Sequence, residues 1–414
     1  MNPEIASTPT LVCSVIFIVV LIVAVVLLIL GIRKQRKAVS MDTLSQSSFP
    51  FPQRQNLPTG LIRPGMLSGE EMNDKIRLAY REWLEKYLLP DQEPGRAFLR
   101  SGVEKHWLRY QVTGTSFGQG LALLISILMA GDDLGAQSRL DRLVAFCLAH
   151  PSANSAELMS WQVMPDVVPG KRLEADPHSE AWMVFALIAA LSQWQESDRF
   201  HYSIIAREKL TVLLPLYEST TQTENSTEIH SPYFFKVFEH ATGNPDWKRL
   251  SGGLEKRAHT ILADPDARLT GDGSAKEARL ALLVLQLGLH DLWQAKADLA
   301  GWSSEIELLV RTACADLSAK ISPIEVTKEE TSGQYSPLAL LACCAPAAIC
   351  LGDQVLVNQL WDDLEQAQTG NNDPIGASLR LLGLLLLSGN TWFAQVSWQE
   401  LPVPTEEQAA PEGE

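Results

Sequence analysis

The residues best placed for proton chemistry sit where apolar helical segments begin. LEADPHSEAWMVFALIAALSQW, residues 173–194, brings Glu174, Asp176, His178 and Glu180 to the mouth of an almost uncharged run. GDGSAKEARLALLVLQLGL, residues 271–289, brings Lys276, Glu277 and Arg279 to another. VTGTSFGQGLALL, residues 112–124, brings Gly118 and Gln119 to a third, with Phe117 in front of them. Helix N-termini gathered around a shared space present unpaired N–H groups and positive dipole ends, which suit carboxylates and polar ligands. Glu180 is the leading candidate acid. His178 stands two residues before it, so within one helix the two side chains do not share a face. The plainer alternative makes Ser116, Ser179 and Ser274 capping residues at ordinary helix starts.

These mouths belong to a chain that reads as helix after helix. Periodicity and turn signals predict helices over 71–89, 117–130, 136–149, 178–195, 201–217, 233–241, 246–262, 275–290, 303–319, 336–350, 354–366 and 376–388. Strand-like alternation is nearly absent, and GDD, GNPD, GDGS and GNND punctuate the helices. Segments 118–129 and 181–191 are apolar almost all round and must be buried on every side. Segments 136–149 and 246–262 carry one charged and one apolar face, as outer helices do. Buried and amphipathic helices together predict an all-α, layered barrel of helical hairpins. A helical solenoid is the competing architecture, but no recurring repeat signature supports it.

The order and spacing of these stretches resemble glycoside hydrolase family 8, whose members have an (α/α)6 barrel, the six-hairpin glycosidase architecture. SFGQG at 116–120 resembles the family's Ser-Glu-Gly-Gln motif at the start of an inner helix. PHSEAW at 177–182, closing on Trp194, resembles its Asp-rich motif ending in Trp. AKEAR at 275–279 resembles its Tyr-Asp-Ala-x-Arg segment. Between them, MSWQV at 159–163 and SPYFFKVFEHATGNPDW at 231–247 resemble a Trp-Gln stretch and a Pro-Ser-Tyr segment. The resemblance covers about residues 71–390. It implies a glycan cleft to which Gln119, Trp161, Trp194, Tyr233 and Arg279 would contribute, aromatic faces and a guanidinium suiting sugar rings and hydroxyls.

The departures from that pattern bear on activity. Laid on the motifs without gaps, Phe117 falls on the glutamate expected to be the general acid. His178 falls on the first aspartate of the second motif, Glu180 on its second, and Lys276 on an aspartate resembling the base. Glycoside hydrolysis needs one carboxylic acid to protonate the leaving oxygen and one carboxylate to activate water or attack the sugar. A phenyl ring does neither, and an ammonium has the wrong charge for deprotonating water. The resemblance therefore implies a catalytically degenerate member that binds or assembles. The alternatives are an active β-glucan hydrolase using Glu180 with another acid, and a helical scaffold whose mouth is filled by side chains such as Phe117.

The rest of the 414-residue chain sets the surroundings. Residues 11–32, LVCSVIFIVVLIVAVVLLILGI, are uncharged and long enough for a single membrane span, behind the short tail 1–10. Arg33, Lys34, Arg36 and Lys37 follow it, so the positive-inside rule predicts a single-pass bacterial inner-membrane protein with its domain in the cytoplasm. A periplasmic domain is the alternative. Residues 33–70 read as a basic, then Ser/Pro-rich linker, 71–400 as the barrel, and 401–414 as an acidic disordered tail. A net charge of −15 excludes nucleic acid as a main partner. Polysaccharide synthase subunits, within exopolysaccharide synthesis, and a cellulose-like glucan are the partners expected. The cysteines show no metal spacing and read as buried thiols, and neither a cofactor nor a metal is expected. The sequon Asn225-Ser226-Thr227 reads as loop polarity.

Overall fold

In the computed structural model the described residues are 47–53, 62–106, 109–167, 171–221, 232–262, 264, 267–272, 274–293, 303–321, 335–369, 372–392, 400 and 401. The predicted span at 11–32 lies outside them, as do the sequon and most of the acidic tail. Among the described residues no helix is long and apolar enough to cross a membrane.

The helices alternate between an outer and an inner layer. Outer α1 (Gly69–Tyr87) precedes inner α2 (Ser116–Leu128), and outer α3 (Ala136–Ala149) precedes inner α4 (Pro177–Trp194). Outer α5 (Tyr202–Thr221), inner α6 (Pro232–Thr242), outer α7 (Asp246–Leu262) and inner α8 (Ala275–Trp293) continue the pattern. Outer α9 (Ser303–Ile321) leads to an inner helix in two pieces, α10 (Pro337–Ala342) and α11 (Ala345–Leu351). Outer α12 (Gln354–Gln366) and inner α13 (Pro374–Leu387) complete the set. Each inner helix packs on the next, α2 on α4, α4 on α6, α6 on α8, α8 on α10 and α11, α10 on α13, and α13 back on α2. The ring is closed. This is the (α/α)6 barrel, with no solenoid.

Composition explains which helix goes where. Every residue of α2 and of α13 is buried apart from Ile375, as expected for helices apolar on all sides. The outer helix α12 buries only Leu356, Val357, Leu360, Trp361 and Leu364, one stripe at i, i+3/i+4 spacing. Outer and inner layers are also stitched by polar bonds, such as the Trp83 indole donating to Ser378 Oγ across α1 and α13 at 2.8 Å. The single helix expected over 336–350 is broken at Cys343–Cys344. Pro346 lacks the N–H that would have bonded the carbonyl of Ala342, so the ladder cannot run through.

Strands are the larger departure from the sequence reading. β1 (Leu88–Pro90) pairs antiparallel with β2 (Ala97–Leu99). β3 (Gly102–His106), β4 (Arg109–Thr115) and β5 (Gln162–Val163) form an antiparallel sheet in the order β3-β4-β5. They are short and partly covered, so alternation is weak, and they lie between α1 and α4, where the helix signals lapse. Residues 47–53, within the expected linker, pack on the barrel end where α2 and α4 finish. There Gln193 Oε1 accepts from Phe49 N at 2.7 Å, Gln193 Nε2 donates to Phe49 O at 2.9 Å, and Phe49 stacks on Trp392.

Close packing of the inner ring makes a stability prediction. A methyl group on Gly288 of α8 would lie 2.5 Å from the backbone nitrogen of Ala347, whereas one on Gly252 of α7 would meet nothing within 4 Å. Gly288→Ala should cost about 1–3 kcal/mol through overpacking. Gly252→Ala should be neutral or stabilising by roughly 0.5–1 kcal/mol. Denaturant-unfolding midpoints of the two variants test the contrast.

Candidate functional site at the barrel mouth

Inner helices α2, α4, α8 and α13 begin at the same end of the barrel, and the residues singled out by sequence can be placed there one by one. β4 runs straight into α2. Thr115, the last residue of the strand, caps the helix by accepting from Gly118 N at 3.2 Å. Ser116 N donates to the Trp161 carbonyl at 3.0 Å, and Thr115 N donates to Ser101 Oγ at 2.9 Å. These bonds fix the first turn and leave no room at residue 118, where a Cβ would sit 2.6 Å from Ser101 Oγ.

Phe117 is 8% exposed. Its ring lies over His178 (6.2 Å between centroids) and Tyr335 (6.3 Å), and meets Trp182 edge-on at 5.9 Å. Gln119 is fully buried. Its Oε1 accepts from Leu99 N, and its Nε2 donates to Leu99 O, each at 2.9 Å, with a third bond to Thr115 O. One donor thus holds β2 to α2 and the other goes to the Thr115 carbonyl at the end of β4, so both are spent on the backbone.

The carboxylates at the mouth serve the backbone. Asp176 caps α4 by accepting from His178 N, Ser179 N and Ser179 Oγ. Glu277 of α8 accepts from the backbone N–H groups of Thr270, Gly271 and Asp272. Asp373 caps α13 from Gly376 N and also accepts from Ser336 Oγ, and burial pushes its carboxyl above the usual range. Thr115 and Asp176 are thus the caps, in place of Ser116 and Ser179. Ser274 caps as expected, accepting from Glu277 N at 3.3 Å.

Glu180 is buried and paired. Its Oε1 accepts from Met159 N at 2.9 Å and its Oε2 lies 2.7 Å from Lys209 Nζ, with the Lys209 side chain 4% exposed. Burial pushes its carboxyl up and the ammonium opposes this. Lys209 was not anticipated, although it lies on the stripe Tyr202, Ala206, Leu210, Leu213, Tyr217 that α5 buries. A cation on a buried stripe demands a buried anion, and that was the available signal.

The remaining positions separate. His178 lies with Gln286 Nε2 3.1 Å from its Nε2, and burial holds its imidazole below the usual pKa. Gln286 of α8 is wholly buried, and its Oε1 has no partner among the described residues. Lys276 stands on the surface, 3.3 Å from Asp264 Oδ2, and Arg279 is exposed. The ungapped alignment therefore puts a surface lysine at the base position. Trp194 closes the opposite end of α4, roughly 25 Å from the mouth at 1.5 Å per residue, where its indole donates to Ser47 Oγ. Tyr233 is buried against Phe185. Trp161 alone of the expected aromatic platforms is open, at 41% exposure.

Closed ring and helix mouth define a six-hairpin, glycosidase-like barrel. The chain resembles glycoside hydrolase family 8 in both sequence and fold. It is 30% identical over 173 residues to an endoglucanase of Bacillus sp. (strain KSM-330), a match covering 41% of this chain and 37% of that enzyme. It is 24% identical over 391 residues to a beta-glucanase of Niallia circulans, covering 83% of this chain and 91% of that one. No family model matches. The apo beta-1,3-1,4-glucanase from Paenibacillus sp. X4 superposes with a TM-score of 0.65 at 17% identity, over 83% of this chain and 99% of that one. A cold-adapted family 8 xylanase gives 0.57 at 16% identity, over 87% and 100%.

Two predictions follow from the buried groups. Glu180→Gln strands the Lys209 ammonium and should cost about 3–5 kcal/mol, read as a loss in unfolding midpoint. Glu180→Gln with Lys209→Met should recover most of it. The second concerns His178. Its folded pKa is depressed, so the unfolded chain binds the proton more readily and stability is lost as pH falls below 6.5. The stability difference between wild type and His178→Gln should shrink between pH 7.5 and 5, measured by urea denaturation.

Proposed function

We propose that this protein is a family 8-like barrel that has given up glycoside hydrolysis and acts as a membrane-anchored binding or assembly component in bacterial exopolysaccharide synthesis. The observation that carries the reading is the Phe117 ring, packed among His178, Trp182 and Tyr335 at the turn where the resemblance expects the general acid. A general acid–base contributes typically 10²–10⁴-fold, and a carbon ring offers no proton. Of the acids nearby, Asp176 caps α4, Glu277 holds the turn before α8 and Glu180 pairs with Lys209, while Glu174 is exposed. With the domain on the cytoplasmic side, as the charges after residue 32 favour, its partners would be synthase subunits and nascent glucan.

A scaffold without any sugar site is the second reading, and buried Gln119 and Tyr233 favour it. Trp161 separates the two, since an exposed indole at the mouth is what a pyranose face would stack on. Calorimetric titration of the full-length protein with cellohexaose should give measurable binding that Trp161→Ala weakens about tenfold, within the energy of one aromatic contact. Absence of binding would leave the scaffold, and cleavage of the ligand during the titration would overturn both. For the topology, a fluorophore fused after residue 414 should be bright and an alkaline phosphatase fusion silent.

A further inference from the structure

A second cleft lies beside the mouth, and neither Phe117, His178 nor Gln286 lines it. Strands β3 and β5, the end of α3 and residues 171–173 enclose about 620 Å³, a volume within the range of roughly 300–1,000 Å³ usual for small-molecule sites. The groups facing it are unlike the rest of this acidic chain. Lys171 and Arg172 are exposed there and form no ion pair or hydrogen bond with any described residue. The one carboxylate of the lining, Glu104, accepts from Gln162 Nε2 at 2.9 Å. In a chain of net charge −15, two cations without a partner among the described residues make a local trap for anions in a concavity.

His150 narrows the class of anion. Its Nδ1 lies 2.9 Å from the Phe146 carbonyl. A carbonyl can only accept, so Nδ1 carries the proton and Nε2 offers a lone pair. Burial depresses its pKa and keeps that neutral form. An imidazole lone pair takes a hydroxyl donor, while a fully ionised inorganic anion has nothing to give it. The arginine fork beside it matches a carboxylate in bidentate fashion.

We propose that this cleft binds an acidic saccharide, with a hexuronate carboxylate on Arg172 and Lys171 and a ring hydroxyl donating to His150 Nε2. The site is separate from the barrel mouth and does not depend on whether the mouth binds glycan. The test is titration calorimetry of the full-length protein in detergent with trigalacturonate, cellotriose and inorganic sulfate. Trigalacturonate should bind at least about tenfold more tightly than cellotriose, and Lys171→Ala with Arg172→Ala should remove about that factor, the worth of a charge-assisted hydrogen bond. His150→Phe should weaken trigalacturonate several-fold and leave sulfate unchanged, with unfolding midpoints confirming that the variants fold. Cellotriose that binds as tightly and is lost with the same double substitution, no trigalacturonate binding at millimolar ligand, or indifference of trigalacturonate to the double substitution in a folded variant would overturn the proposal. Sulfate binding as tightly as trigalacturonate would reduce the cleft to a general anion site and overturn its saccharide assignment.

Discussion

The backbone N–H groups in the first turns of the inner helices must be satisfied inside the protein, and the mouth is organised around that requirement. An inner helix of a closed ring starts where water is scarce, and an orphaned donor there costs as much as a lost hydrogen bond. Thr115, Asp176, Ser336 and Asp373 meet the demand at α2, α4, α10 and α13. Glu277 does the same for the turn that precedes α8. Asp176, Asp373 and Glu277 are thereby committed to helix starts and their turns, and Glu180 is committed to Lys209.

Phe117 is compatible with this arrangement because it asks for nothing polar. A carboxyl at the same place would need room, a partner and some access to solvent. The ring instead fills its site against His178, Trp182 and Tyr335. Gln286 Oε1 and the Trp182 indole nitrogen, both fully buried, have no partner among the described residues. Polar atoms left without partners in a barrel interior are costly.

Much of the fold was legible in the sequence because an inner helix apolar on every side differs from an outer helix with one stripe. The predicted segments 136–149, 246–262 and 354–366 coincide with α3, α7 and α12. The strands were missed because β5 has only a pair of residues and β3 and β4 are too irregularly covered to alternate. Site residues were less legible, for a physical reason. Glu180, Gln119 and Trp194 are residue types that suit either a ligand or a latch, and only the partner decides. Lys209, Leu99 and Ser47 are those partners, each distant in sequence or on another element. Lys276 misled because ungapped spacing does not fix which side of a helix turn faces inward, and there Glu277 is the buried residue.

The central claim is that this barrel keeps the family's frame without its proton donors. The most direct test is incubation of the full-length protein with mixed-linkage β-glucan and with xylan in H₂¹⁸O, reading ¹⁸O at new reducing ends by mass spectrometry. The account predicts label at the level of a heat-denatured control. Label above that control, lost on substitution of a mouth carboxylate in a folded variant, would contradict it.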